Sequence, residues 1–319
     1  MHSPSSSSSQ KIPSLSLASC VQYAFLAALA YMLAGAPLSS LIARSSYGGN
    51  ARSRDAGVVD VSKLDSLVIP EKNLSCGAHA YKGVYVLSRE PLVVYIEGFL
   101  GTDEADEVLA LSEPHFTPST TWSSGHESLN PHIRLSEKAL LPRSHTVKCI
   151  ESRARTFQGW RPNTFIEKLW TQRYAVGGHY TYHYDWSTLT KRSGRVSSFM
   201  VYVHANCTGG GTHFPRLARP KGSEWCRFLE CEPNMSYTDS TNQTAGRETV
   251  KEDLTQGVIF KPIAGNAIFW ENMAGDGRGY AESWHAGLPV TAGMKVGLNI
   301  WSWMVDGYVA PVGEEGGNV

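Results

Sequence analysis

The stretch TFIEKLWTQRYAVGGHYTYHYDWS, residues 164–187, decides how this chain is read. A strand-like apolar and aromatic run reaches a Gly177-Gly178 turn. Beyond it Tyr180, Tyr182 and Tyr184 alternate with His179, Thr181, His183 and Asp185. Residues two apart in an extended strand point to one side, so His183 and Asp185 can present an imidazole and a carboxylate to a single point. His285, far downstream, completes a set of two histidines and one carboxylate. Such a set on one face of a metal leaves positions open, the arrangement that suits non-haem Fe(II) and its oxygen chemistry. Zinc fits less well, because no cysteine lies near these three residues and no HExxH helix occurs in the chain. An HxD triplet alone is weak evidence, since most histidines are surface or hydrogen-bonded core residues. Here the whole ligand-bearing side of the strand is polar. His179 lies on that side too and is a rival ligand, but a third ligand from this strand would leave His285 and Lys295 without a role.

Between His285 and Lys295 the chain reads HAGLPVTAGMK, where Pro289 and Ala292-Gly293 suggest a strand, a tight connection and a second strand. In KVGLNIWSWM, residues 295–304, Lys295, Gly297, Asn299, Trp301 and Trp303 then alternate with Val296, Leu298, Ile300 and Ser302. A lysine directed inward among tryptophans is costly to bury unless an anion meets it, which points to a small carboxylate-bearing molecule beside the metal. A lone lysine is more often a snorkelling surface residue. Its position shortly after a metal-type histidine argues otherwise.

From about Pro91 to Met304, some two-thirds of the chain, these residues resemble the prolyl 4-hydroxylases of the collagen and plant type, within the 2-oxoglutarate and Fe(II)-dependent dioxygenases. PLVVYIEGFLGTDEADEVL resembles the opening strand and helix, Arg134-Leu135-Ser136 a short RxS element, and RYAVGGHYTYHYD the strand with the first two iron ligands. GRVSSFMVYV and GGGTHFP resemble the next strand and its glycine-rich turn, and VIFKPIAGNAIFW precedes SWHAGLPVTAGMKVGLNIW. The last block is the most specific, because related oxygenases usually place arginine where this chain has Lys295.

The resemblance implies that His183, Asp185 and His285 hold Fe(II) and that Lys295 binds the distal carboxylate of 2-oxoglutarate. Tyr174 and Thr212 fall where the family offers hydroxyls to that cosubstrate, Tyr180 and Arg195 where it contacts the peptide, and Trp301 where a tryptophan stands beside the site. It further implies O2 as co-reactant, ascorbate as reductant and a proline-containing peptide or protein as substrate. Two departures stand out. The GGET element reads Gly209-Gly210-Gly211-Thr212, without its glutamate, and Trp303 occupies a position where plant-type members can carry a peptide-contacting histidine. Both lie where substrate choice would be set. The rival readings are the same chemistry on a free amino acid, peptide natural product or other small molecule, and a membrane-anchored binding glycoprotein that has lost activity.

The chain has 319 residues, is 42% hydrophobic and carries zero formal net charge. That is enough for one large core, and it gives no electrostatic footprint for a nucleic-acid partner. The expected organisation is a polar tail over 1–14, a transmembrane signal anchor over 15–43, a stem over 44–83, the dioxygenase domain over 84–306 and a flexible tail over 307–319. The segment Leu15 to Ala43 has no charged side chain and can span a bilayer, with a cleaved signal peptide as the alternative. Only Lys11 precedes it while Arg44, Arg52 and Arg54 follow, a charge bias that favours a cytosolic domain. Sequons at Asn73, Asn206, Asn234 and Asn242 point the other way, to the endoplasmic reticulum or Golgi lumen in a single-pass type II arrangement, or to secretion. Five cysteines lie beyond the apolar segment, so at least one stays unpaired, and Cys226 and Cys231 are close enough to bridge.

The fold expected for the domain is mainly β with flanking helices, a jelly roll or double-stranded β-helix. Helices are expected over 103–112 and 143–156, and strands over 165–174, 196–204, 257–261, 266–270 and 295–303. Between them 215–254 reads as a polar surface insert. Nothing in the sequence indicates whether a partner subunit is required.

Overall fold

A computed structural model describes residues 65–123, 126–160, 164–186, 193–231 and 253–305. The expected anchor over 15–43 and the tail over 307–319 lie outside the described residues, and the stem expected over 44–83 enters only from residue 65. Among the described residues no helix is long and apolar enough to cross a membrane.

The fold is mainly β, two principal sheets with few helices, as expected for a jelly roll. In the larger sheet Gly83–Arg89, Leu92–Glu97, Ala267–Glu271, Ser193–Gly209, Val290–Val305, Trp170–Tyr174, Glu137–Leu140 and Thr117–Pro118 are successive neighbours, and Thr164–Ile166 pairs onto Val290–Val305. The smaller sheet orders Val258–Phe260, Thr212–Phe214, His285–Gly287, His179–His183 and Arg134–Leu135. Alternation sends each strand's side chains to two different layers. Val296, Leu298 and Ile300 face outward with Phe199, Val201 and Phe269, and form one apolar core with Val108, Val147, Ile150 and Ala154. The last four come from the helices α1 (Thr102–Ser112) and α2 (His145–Phe157). Burying each of the Val, Leu, Ile and Phe side chains contributes roughly 1.5–3 kcal/mol. The opposite face, with Lys295 and Tyr174, is left for the space between the sheets.

Helix starts follow their sequence signals. Glu104 accepts a hydrogen bond from the Gly101 N–H at 2.9 Å, and Ser144 Oγ accepts from the Val147 N–H at 3.2 Å. The structure differs from expectation in three places. The run expected over 165–174 breaks at 167–169, where the Glu167 N–H donates to the Trp301 carbonyl and the Lys168 N–H to the Ser66 carbonyl. No tight connection forms at Ala292-Gly293. Val290–Val305 is continuous, and Gly293 opposes Cys207 at a φ of 74°, where a Cβ would lie 2.1 Å from the Asn206 carbonyl oxygen. Nor is the described part of the 215–254 insert only surface. Phe228 and Leu229 are buried, with the Phe228 ring 4.1 Å from that of Tyr95.

Residues 65–82 are tied to the domain they precede. The Val68 N–H donates to the Ile166 carbonyl, and Cys76 forms a disulfide with Cys149 in α2. That bond spans a sequence separation of 73, for which loop-closure entropy gives a stabilisation of about 4 kcal/mol. A second disulfide joins Cys226 and Cys231, and Cys207 is a free thiol.

Candidate metal centre and cosubstrate pocket

His183, Asp185 and His285 converge, with one ligand atom from each lying within 4.8 Å of the others. The smaller sheet accounts for this, because His183 and His285 are direct partners across neighbouring antiparallel strands. Asp185 Oδ1 stands 3.6 Å from His183 Nε2, and Oδ2 stands 4.0 Å from His285 Nε2. Each imidazole has its other nitrogen engaged. Nδ1 of His183 is 2.8 Å from the Thr181 carbonyl, and Nδ1 of His285 is 2.8 Å from the Ser283 carbonyl. A carbonyl can only accept, so both Nδ1 atoms carry the proton and both Nε2 lone pairs face the centre.

The electrostatics match a cation. Burial raises the Asp185 carboxyl, but the His183 hydrogen bond and the nearby His285, His183 and Arg195 outweigh it and hold the group below the usual carboxylate range. Burial, with the His183 charge, pushes His285 down to about 4. A carboxylate kept ionised beside a buried imidazole kept neutral, with a second imidazole facing the same point, is a donor set that suits an Fe(II) ion.

His179 is not part of the cluster. The register slips between Tyr180 and His183, so that three residue steps on this strand match two on the strand of His285. That bulge reverses the alternation expected from sequence. Tyr180 comes onto the ligand side and stacks on His183 at 3.7 Å between centroids, with the Arg134 guanidinium 4.7 Å from the Tyr180 ring centroid. His179 instead faces the Gly177 and His132 carbonyls, with its Nδ1 2.9 Å from the first.

Lys295 is 1% exposed, and its Nζ donates to the Gly210 carbonyl at 2.5 Å. Tyr174, its partner across the sheet, presents its ring 4.7 Å from Nζ. Thr212 is buried nearby on the smaller sheet, its Oγ1 2.8 Å from the Tyr202 hydroxyl. Gly210 sits at a φ of 69°, and a Cβ there would lie 3.0 Å from Val290 Cγ2 and 3.6 Å from Lys295 Cδ, so glycine lets the turn approach the lysine. Among the described residues Lys295 has no carboxylate partner. Burial therefore pushes its ammonium from 10.5 down to about 8, against a small opposing effect of Cys207.

This sets a pH dependence. In the free protein the unfolded chain keeps the Lys295 proton up to about 10.5 while the folded chain releases it near 8, so this group makes stability rise with pH between those values. An anion bound at Nζ restores the proton. Binding of a carboxylate ligand at Nζ should thus take up a proton above pH 8 and weaken as pH rises further. Calorimetric titration across that range, in buffers of different ionisation enthalpy, checks it. Affinity independent of pH would separate Lys295 from the anion.

Arg195, expected at the peptide, and Trp303, which replaces a family histidine, both have close protein partners. Arg195 makes two bonds to Glu167, Nε to Oε1 at 2.6 Å and Nη2 to Oε2 at 2.9 Å, and lies 4.0 Å over the Trp301 ring. Trp303 is buried at 2%. Trp301 is beside the metal centre as expected, its indole N–H donating to Asp185 Oδ2 at 3.0 Å. Glu167 and Tyr202 were not singled out from sequence. A single acid within the apolar run TFIEKLW was the available signal for the first, and Tyr202 had none.

The family model described as 2OG-Fe(II) oxygenase superfamily matches residues 169–303. Human prolyl 4-hydroxylase subunit alpha-3 is 27% identical over 68% of this chain, but the match covers 34% of that relative. The chain thus corresponds to about a third of the animal subunit's length. Prolyl 4-hydroxylase 5 of Arabidopsis thaliana is 29% identical over 68% of this chain and 70% of its own. Among solved structures, a viral collagen prolyl hydroxylase from Paramecium Bursaria Chlorella virus-1 covers 67% of this chain and 96% of its own, at 23% identity and a TM-score of 0.46. With its metal-binding triad intact and distant prolyl 4-hydroxylase relatives in animals and plants, the chain is a 2OG-Fe(II) oxygenase.

Proposed function

We propose that this chain hydroxylates prolyl residues in peptides or proteins, with Fe(II) held by His183, Asp185 and His285, 2-oxoglutarate by Lys295, and ascorbate as reductant. The observation that carries the reading is the convergence of three metal-type ligands in a chain that also buries an ammonium with no carboxylate partner among the described residues. When bound, the metal and its 2-oxo acid supply the oxidation. One atom of O2 enters succinate as carbon dioxide leaves, and the other enters the substrate C–H bond.

The chain's own part is to bind and orient. Lys295 fixes the far carboxylate, with the Tyr174 and Thr212 hydroxyls beside it, and so sets how far the 2-oxo acid end reaches. Tyr180 forms a wall against His183 where a peptide would pass. The aromatic enclosure of His285, with Phe214 at 5.2 Å and Trp270 at 4.9 Å, keeps water from that side of the metal.

The two disulfides and the exposed sequon residues Asn73 and Asn206 support an oxidising compartment, hence a luminal enzyme of the endoplasmic reticulum or Golgi. In that reading 15–43 is its anchor or, after cleavage, its secretion signal. A small-molecule substrate is the second reading. It is favoured by Arg195 and Trp303, two peptide-side positions that here turn inward.

Incubating the purified chain with Fe(II), 2-oxoglutarate, ascorbate and a panel of proline-containing peptides tests both. The expected result is a mass gain of one oxygen atom on proline. Succinate formation with every peptide unmodified moves the reading to a small molecule, and no succinate at all leaves a binding protein.

A further inference from the structure

We infer that Glu167, Arg195 and Trp301 form a brace that fixes which oxygen of Asp185 a metal receives, and that Arg195 serves the metal centre instead of a peptide. This rests on the reading of His183, Asp185 and His285 as metal ligands. A carboxylate can bind a metal through one oxygen or both, and a second Asp185 oxygen on the ion would fill a position that cosubstrate or O2 needs. Trp301 prevents this by donating its single indole N–H to Oδ2 at 3.0 Å, leaving Oδ1 on the His183 side to ligate.

An indole has one donor and no acceptor, so its hydrogen bond depends wholly on the ring's angle. The ring is held on its face by the Arg195 guanidinium 4.0 Å above it. Arg195 cannot swing away, because Glu167 grips it with a planar pair of bonds and is itself 5% exposed. The Glu167 N–H in turn donates to the Trp301 carbonyl at 2.9 Å. The circuit therefore closes, since the residue that anchors the arginine also fixes the backbone of the tryptophan that the arginine covers. Arg195 Nη1 also lies 3.5 Å from the Asp185 carbonyl, so the guanidinium touches the strand of the ligand as well. With its charge met by Glu167 and its face spent on Trp301, Arg195 is a positioning residue.

The test uses Co(II) as the probe metal, titrated anaerobically into the whole chain and into Trp301→Phe, Arg195→Lys and Glu167→Gln. Partners that orient metal ligands typically contribute about 10- to 100-fold in affinity, and each variant should bind Co(II) at least about tenfold more weakly. The visible absorption of the Co(II) form should also change in Trp301→Phe, because Asp185 is then free to bind through both oxygens. That band reports coordination, which a loss of packing alone would not shift. The Trp301→Phe/Arg195→Lys pair should cost little more than Trp301→Phe alone, since the arginine acts through the tryptophan. Trp301→Phe keeps the ring and the packing, so it remains informative if the arginine variant fails to fold. Co(II) affinity in Trp301→Phe within about twofold of the parent, with an unchanged spectrum, overturns the brace. A raised KM for poly(L-proline) in Arg195→Lys at unchanged Co(II) affinity likewise overturns it and returns Arg195 to the peptide. A parent chain that binds no Co(II) removes the metal reading itself, a result distinct from tight binding by parent and variants alike.

Discussion

The His285→Ala protein is expected to make no succinate from 2-oxoglutarate above background. His285 is 5% exposed and packed between Phe214 and Trp270, so the space left by its ring is walled by aromatic carbon and offers no substitute ligand. Removing one of three protein donors from such a position should lower turnover on the order of a thousandfold or more, about 4 kcal/mol in barrier terms. Replacement of His183 or Asp185 by Ala should have the same outcome. Asp185 supplies the only anionic ligand of the described cluster, and its ionised state is maintained by the residues around it. The measurement is Fe(II)-dependent succinate release with and without peptide. Undiminished decarboxylation in any of the three variants contradicts the metal assignment.

Lys295→Ala should raise the 2-oxoglutarate KM roughly ten- to a hundredfold, the size expected for losing a charge-assisted hydrogen bond of about 1.5–3 kcal/mol. The alanine variant loses a buried ammonium and leaves the Gly210 carbonyl without its donor. Lys295→Arg restores the charge but must fit a longer, planar group beside Tyr174, so it should recover only part of the affinity. Because the distal carboxylate is gripped alike before and during reaction, kcat at saturating 2-oxoglutarate should change far less than KM. An unchanged KM in Lys295→Ala would remove this residue from the cosubstrate. Saturation curves for the three proteins settle the comparison.

What the sequence revealed and what it hid both follow from periodicity. Lys295, Trp301 and the apolar set Val296, Leu298 and Ile300 fell on opposite faces as expected, because Val290–Val305 runs unbroken across both layers. His183 and Asp185 converge as expected, although the strand His179–His183 ends before Asp185. Tyr180 and His179 were assigned to the wrong sides because a bulge inserts one residue between them and His183, and a two-residue period has no means of showing where a register slips. Glu167 was hidden by context. In TFIEKLW it reads as one acid in a strand, while its role depends on Arg195, 28 residues later, and on a break at 167–169 that directs it there. The Cys76–Cys149 bond was similarly unreadable, since spacing does not encode a pairing across 73 residues, whereas the Cys226–Cys231 bridge spans only a short loop. Position alone did not show the surroundings of Arg195 or Trp303. Both stand where the resemblance placed them along the chain, and the packing around each turns it inward.

The account depends most on a metal at His183, Asp185 and His285 that in turn admits the acid held by Lys295. Anaerobic titration of the purified chain, first with Fe(II) or Mn(II) and then with 2-oxoglutarate, tests this directly. The account predicts one metal ion per chain and binding of 2-oxoglutarate that requires the metal and is weakened in Lys295→Ala. A chain that takes up no metal, or one that binds 2-oxoglutarate equally well without it, would contradict it.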